Sequence, residues 1–227
     1  MLRLYIGNKN YSSWSMRPWT LLRQCGIPFE EVAVRMDAFA PGSEFKRRLA
    51  EISPAGKVPV LVDGDVAIWD TLAIVEYLAE KFPELHLWPA DPALRARARS
   101  VCAEMHSGFG ALRSACSMNI EAHLPEVGAI IWRDRADVRA DVARIAQIWS
   151  DLLQASGGPM LCGAFGIADA FFTPAVMRFR SYALPLPEVA ASYMERVCAL
   201  PGVRAWIAAA LAEHDFLAFE EPYRLAR

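Results

Sequence analysis

Val58-Pro59-Val60-Leu61-Val62-Asp63-Gly64-Asp65-Val66-Ala67-Ile68-Trp69 is the stretch on which the fold turns. It opens as an apolar run of strand length over 58–62. Asp63-Gly64-Asp65 has the chemistry of a tight hairpin turn, and 66–69 supplies the return strand. Proline has no N–H to give to a sheet ladder, so Pro59 belongs at a strand start or a sheet edge. A cis bond after Val58 would set Pro59 at the mouth of the sheet. Toward the N-terminus, Pro41-Gly42-Ser43 leads into a short helix over 44–50. Before it, Val32, Val34 and Met36 alternate with charged and small residues, which predicts a strand. A helix over 13–25 tolerates Pro18 in its first turn and is stopped by Gly26-Ile27-Pro28. Leu2, Leu4 and Ile6 alternate with Arg3 and Tyr5 as the first strand. Beyond the hairpin, Leu72, Val75, Leu78, Ala79 and Phe82 recur at helical spacing until Pro83.

The order is therefore strand, helix, strand, helix, strand, strand, helix. The first two strands are parallel and need a crossover, and the last two share a tight turn. This is a thioredoxin-like α/β arrangement. After it the strand signal disappears. The spacing predicts one long helix over 93–122, with its weak point at Gly108 and Gly110. Val138, Val142, Ile145, Trp149 and Leu152 follow a helical repeat. A glycine-rich loop over 156–166 precedes an apolar helix over 167–182, with Gly166 as its N-cap and Pro174 expected to bend or interrupt it. Helices over 188–199 and 203–213 follow. The expected division is a thioredoxin-like domain over 1–83, a proline-containing linker over 84–92 and an all-α domain over 93–227.

With 227 residues, 54% of them hydrophobic, the chain can bury one large or two small cores. A net charge of −2 gives no basic footprint for nucleic acid. Arg95, Arg97 and Arg99 alternate with alanine and spread over more than one helix face, as solvated surface does. Cys25, Cys102, Cys116, Cys162 and Cys198 form no CxxC pair and no His/Cys ligand cluster. Reduced, mostly buried thiols in a cytoplasmic protein without a metal are expected. No apolar stretch approaches the length of a membrane span, and Met1-Leu2-Arg3-Leu4 lacks a signal-peptide pattern.

Two helix starts carry candidate chemistry. Tyr11-Ser12-Ser13-Trp14-Ser15-Met16-Arg17 puts three hydroxyls just after a strand and just before a helix. A serine there can cap the helix, and the free N–H groups of a helix start suit an anion such as a thiolate. Asp70-Thr71 directly precedes the helix at 72 and could cap it or hold a carboxylate. In a thioredoxin-like sheet both starts and the Val58-Pro59 turn fall on one edge, where ligands of open α/β sheets bind.

These motifs resemble the glutathione transferase superfamily over nearly the whole chain. Gly56-Lys57-Val58-Pro59-Val60-Leu61 resembles its glutathione-site turn, and Trp69-Asp70-Thr71-Leu72-Ala73-Ile74 the segment that usually reads Glu-Ser-x-Ala-Ile. Gly163-Ala164-Phe165-Gly166-Ile167-Ala168-Asp169 is similar to a capped buried helix of the second domain, and Pro201-Gly202-Val203-Arg204-Ala205-Trp206 to a late helix. Ser12-Ser13-Trp14-Ser15-Met16-Arg17 is similar to the Ser-Ser-Cys-Ser-x-Arg of zeta-class members and the Ser-Pro-Phe-x-x-Arg of tau-class members.

The resemblance implies a glutathione S-transferase that activates the glutathione thiol toward a small electrophile. Counting back from Arg17 puts the catalytic serine on Ser12, with Ser13 as the alternative. Val58, beside Pro59, would pair with the cysteinyl backbone of glutathione. Asp70 and Thr71 would hold its γ-glutamyl end, and Lys57 its glycyl carboxylate. His106, Phe109 and Arg113 would line the electrophile pocket, and Arg113 or Arg178 could steer an anionic substrate. A cytoplasmic homodimer, with glutathione as co-substrate and no nucleic acid or membrane partner, is expected. The alternatives are a zeta-like isomerase of an unsaturated diacid and a non-catalytic binding or regulatory protein of the same fold.

Overall fold

The computed structural model describes residues 1–226. Its first part runs β1 (Leu2–Ile6), α1 (Ser13–Gln24), β2 (Phe29–Ala33), α2 (Glu44–Ala50), β3 (Val60–Asp63), β4 (Val66–Ile68) and α3 (Thr71–Lys81). The strands form one sheet in the order β2-β1-β3-β4. β1 and β2 are parallel across the α1 crossover, with Leu2 opposite Phe29. β3 is antiparallel to both β1 and β4, with Leu4 opposite Leu61 and Leu61 opposite Ile68. The burial of each strand follows its place. Leu2, Leu4 and Ile6 of β1 point into the core, and Val60, Leu61 and Val62 of the other central strand are buried on both faces. β4 is an edge strand of three residues, short enough to offer little for foreign pairing. Gly64 turns the β3–β4 hairpin at a φ of 59°, a conformation that favours glycine. The strand predicted around Val32–Met36 lies three residues earlier. Its edge position leaves Glu30 and Glu31 exposed, so alternation there is a weak guide to its limits.

The second part is helical: α4 (Pro92–Ser107), α5 (Gly110–Ala115), α6 (Pro125–Asp134), α7 (Ala136–Ser156), α8 (Ile167–Ser181), α9 (Glu188–Ala199) and α10 (Pro201–Glu213). The single helix predicted over 93–122 is a correction. It breaks at Gly108, which is extended, and Phe109, which takes a left-handed conformation at φ 58°. A Cβ on Gly108 would lie 2.8 Å from the Glu104 carbonyl oxygen, so the break needs glycine. The chain then leaves helix after Ala115 and re-enters it at Pro125, a proline in a first helical turn.

α8 is the central post of this half. It is apolar nearly all round and buried along its length, as a core helix must be. It continues through Pro174 rather than being interrupted there. Its start is fixed by Asp169, whose carboxylate accepts N–H bonds from Leu161 and Gly166, both at 3.0 Å, and the Tyr193 hydroxyl at 2.8 Å. Trp149, Phe172, Phe179 and Tyr193 interlock edge to face around it. α1 packs directly on α8 and on α10, so the start of α1 lies against the helical half. Trp206 closes that seam by meeting Trp19 edge to face and donating its indole N–H to the Lys9 carbonyl.

Candidate functional site

The start of α1 is held rather than frayed. Ser12 is the N-cap, yet its side chain makes no capping bond. Its Oγ instead donates to Ser15 Oγ at 2.7 Å, and Ser15 Oγ also accepts the Gly7 N–H at 3.2 Å. Ser13 Oγ accepts from Arg178 Nη2 at 3.3 Å. A hydroxyl has one hydrogen and two lone pairs, so the Ser13 hydrogen is not used in that bond.

The start of α3 lies nearby. Asp70 is its N-cap, accepting the Leu72 N–H at 3.0 Å, and its second carboxylate oxygen lies 3.2 Å from His106 Nε2. Thr71 is buried and its Oγ1 has no partner among the described residues. A buried hydroxyl without a partner costs about 1–3 kcal/mol, so this one is poised to receive a ligand. The Val58-Pro59 and Trp69-Asp70 bonds are both cis. Val58 sits just ahead of Val60, the first residue that β3 pairs with β1, so it stands at the mouth of the sheet.

Two hollows meet here. A cavity of about 310 Å³ is lined by Trp14, Val58, Pro59, Asp70 and Thr71. A larger one of about 630 Å³ is lined by Ser12, Ser13, Phe39, Arg113, Arg178 and Glu220, among others. Trp14, Lys57 and Val58 belong to both walls, so the two hollows adjoin across these three residues.

The wall between the cavities and α8 is strongly cationic. The Arg17 and Arg113 guanidiniums both lie over the Trp14 ring, with Cζ 4.2 and 4.7 Å from its centroid. Arg17 is buried, with Nε and Nη1 unpartnered among the described residues. Burial, then repulsion from Arg113 and Arg178, brings it down to about 9. Arg178 is brought down to about 10, again by burial and then by Arg113. It remains cationic at neutral pH, donating to the carbonyls of Cys116 at 2.8 Å and Pro174 at 3.2 Å. Arg113 lies close enough to depress both Arg17 and Arg178, and the three guanidiniums make a field that favours an anion in the adjacent hollow.

The structure thus gathers Ser12, Ser13, Lys57, Val58, Pro59, Asp70, Thr71 and Arg113 around two adjoining hollows. His106 and Phe109 line neither cavity. His106 faces Asp70 and meets Trp14 edge-on at 5.0 Å, and burial lowers its pKa. Phe109 is buried in the core, because its left-handed backbone turns the side chain away from the helix face that spacing assigned to it. Sequence reasoning missed Phe39, Ser114, Ser117 and Glu220. The first lies in an aperiodic loop, the two serines flank an unpredicted helix end, and Glu220 follows the last periodic segment. No group of three or more His, Cys, Asp or Glu residues is placed to hold a metal among the described residues, and no helix among them is long and apolar enough to cross a membrane.

Comparison with known proteins follows the same division of the chain. Residues 11–81 match the glutathione S-transferase N-terminal domain, and residues 120–209 match the C-terminal domain. Glutathione S-transferase 1 of Dianthus caryophyllus is 31% identical over 178 residues, covering 78% of this chain and 76% of that one. Glutathione S-transferase Z1 of Arabidopsis thaliana is 29% identical over 194 residues, covering 82% and 85%. Among solved structures, a glutathione transferase homologue from Burkholderia with bound glutathione superposes with a TM-score of 0.68 at 22% identity, covering 94% of this chain and 99% of that one. The two matched domains and the relatives that span most of both chains place this protein in the glutathione S-transferase family.

Proposed function

We propose that this protein binds glutathione across the adjoining hollows and activates its thiol for attack on a small electrophile. The observation that carries the reading is the adjacency of the two hollows, one lined by Asp70 and Thr71, the other by Ser12 and Ser13, with Val58 on the wall of both. An extended tripeptide would lay its γ-glutamyl end on the unpartnered Thr71 hydroxyl and the α3 start. Its cysteinyl backbone would pair with Val58 as an added strand does, and its glycyl carboxylate would meet Lys57 or Lys46. The thiol then falls between Ser12 and Ser13. Ser12 must turn its hydrogen from Ser15 to the sulfur, exchanging a neutral bond of about 1 kcal/mol for a charge-assisted one of about 1.5–3 kcal/mol. The net gain of about 0.5–2 kcal/mol lowers a thiol pKa by up to about 1.5 units. The unpartnered Arg17 and the helix start act in the same direction. On this reading residues 1–83 and 93–227 are separate domains whose seam forms the electrophile site.

A second reading is favoured by Arg113 and Arg178 in the larger cavity: isomerisation of an unsaturated diacid, whose carboxylates two guanidiniums would hold. One relative, a probable maleylacetoacetate isomerase of Caenorhabditis elegans, is 37% identical over 112 residues, covering 49% of each chain. A cytoplasmic homodimer with a detoxifying role belongs to the same proposal. The test is the ultraviolet thiolate band of bound glutathione at neutral pH. It is expected in the wild type, lost in Ser12→Ala and weakened in Ser13→Ala. Unchanged bands in both variants would sink the serine assignment. Binding without a thiolate band, and without turnover of haloaromatics, unsaturated diacids or peroxides, would leave a non-catalytic binding protein as the answer.

A further inference from the structure

The segment after α10 is a strap over the larger cavity. Arg35 holds Asp215 with two bonds of 2.7 and 2.8 Å, and Asn8 Nδ2 adds a third at 3.0 Å. Tyr11, the residue before Ser12, donates to Glu221 at 2.7 Å and accepts the Leu217 N–H at 3.3 Å. Tyr223 donates to the Ala115 carbonyl at 2.7 Å on the helical side. Phe219 meets Phe39 edge to face at 5.2 Å over the rim. Anchors on both halves of the chain thus fix the turn Ala218–Glu220 against the hollow.

Glu220 is the one carboxyl among the described residues that line the larger cavity, Asp70 lining the smaller one. Its neighbours on the strap, Asp215 and Glu221, are tied into ion pairs with Arg35 and Arg224. Glu220 is in none among the described residues, although Arg178 lies near enough to act on it. The two serines face the sulfur, the guanidiniums are too weakly acidic to release a proton at neutral pH, and burial with the Glu221 bond pushes the Tyr11 phenol up to about 12. Lys46 and Lys57, which also line the cavity, are taken by the glycyl carboxylate on the transferase reading, which leaves the Glu220 carboxyl as the cavity's acid. Burial raises its pKa, which Arg178 opposes and Glu221 reinforces.

We propose that Glu220 is a catalytic acid, carried into the electrophile site by the C-terminal strap, for addition of glutathione to activated double bonds. The proposal rests on the transferase reading above. The thiolate sulfur forms a bond to the β-carbon of an α,β-unsaturated carbonyl compound. The carbon–carbon π bond breaks, and its electron pair becomes an enolate held near Arg113 and Arg178. The Glu220 carboxyl O–H then breaks as its proton bonds to the α-carbon, leaving a carboxylate. The proton that left the thiol on binding is replaced on Glu220 from solvent, so the net change is S–H added across C=C. Displacement of chloride from an activated aryl chloride by the same thiolate needs no such proton, because chloride leaves as a stable anion.

The test compares an α,β-unsaturated ketone with an activated aryl chloride for wild type, Glu220→Gln and Glu220→Asp, with glutathione saturating. A well-placed general acid contributes about 100-fold or more. The ratio of kcat for the ketone to kcat for the aryl chloride is therefore expected to fall about 100-fold in Glu220→Gln and to recover in part in Glu220→Asp. An unchanged ratio overturns the proposal, whether both rates hold or both fall together as a loosened strap would make them. A wild type active on the chloride but not on the ketone overturns it as well. A wild type with no thiolate band and neither activity overturns the transferase reading, and the role of Glu220 with it.

Discussion

Asp169→Ala tests the argument about how the helical half is held in place. The carboxylate is fully buried and receives three donors: the N–H groups of Leu161 and Gly166 and the Tyr193 hydroxyl. Removing it leaves two buried donors and the half-buried Gly166 N–H without a partner, at about 1–3 kcal/mol each. One term works the other way. Burial outweighs those three bonds and raises the carboxyl from 3.8 to about 6. At about 1.4 kcal/mol per unit, holding it ionised at neutral pH costs the fold about 3 kcal/mol, which alanine would recover. The donors win, and the expected net loss is about 3 kcal/mol at pH 7.5, or about 6–12 °C in Tm for a chain of this size. Urea unfolding followed by tryptophan fluorescence reads it, since Trp149 lies 4.9 Å from Tyr193 between ring centroids. The sign with pH is a second check. A carboxyl raised in the folded state binds its proton more tightly there, so wild-type stability falls as pH rises from about 4 to about 6. The variant lacks that slope, and the gap between them should narrow over that window. A variant as stable as wild type at pH 7.5, or a gap that widens with pH, would refute the reasoning.

Other outcomes follow from single contacts. Gly128→Ala should destabilise by about 3 kcal/mol despite the helix propensity of alanine, worth about 1 kcal/mol, because the new Cβ would lie 1.8 Å from the Tyr182 carbonyl oxygen. Thermal unfolding decides the sign, and a stabilised variant would show the close approach to be wrong. Acid should release the strap. The Arg35 bond holds the Asp215 carboxyl below its usual range, and burial at Glu221 is outweighed by bonds from Arg224, Tyr11 and Asn119. Depressed carboxyls stabilise above their unfolded values, near 3.8 and 4.5, and that contribution is lost as pH falls through the lower folded ones. Glu220, raised by burial, works in the opposite sense. Hydrogen exchange of 214–226, corrected for intrinsic rates, should show protection lost in acid, below the unfolded carboxyl values near 3.8 and 4.5, before that of α8. Protection lost first in α8, or lost from 214–226 already at pH 6, would contradict this.

What could be read without coordinates follows from periodicity and from residues with few conformational options. The alternation of Leu2, Leu4 and Ile6, Gly64 in its turn and Pro59 beside the third strand set the succession of strands along the chain, because each restricts the backbone locally. The family motifs brought Ser12, Ser13, Val58, Asp70 and Thr71 to two adjoining hollows, since they sit at strand mouths and helix starts whose positions the sheet order dictates. The break at Gly108-Phe109 was not legible as such: the apolar spacing of 105–112 suits one helix, and only the turn of Phe109 into the core takes it off that face. The hydroxyl that meets Arg178, the stacking of Arg17 and Arg113 on Trp14, and the placing of Glu220 at the cavity join residues far apart in the chain, 165 positions for Ser13 and Arg178 alone. Local sequence determined the elements and the helix starts. Only the docking of α1 on α8 and the return of the strap decided which charges face the hollow, because a side chain's electrostatic role depends on what packs beside it and no spacing along the chain encodes that neighbour.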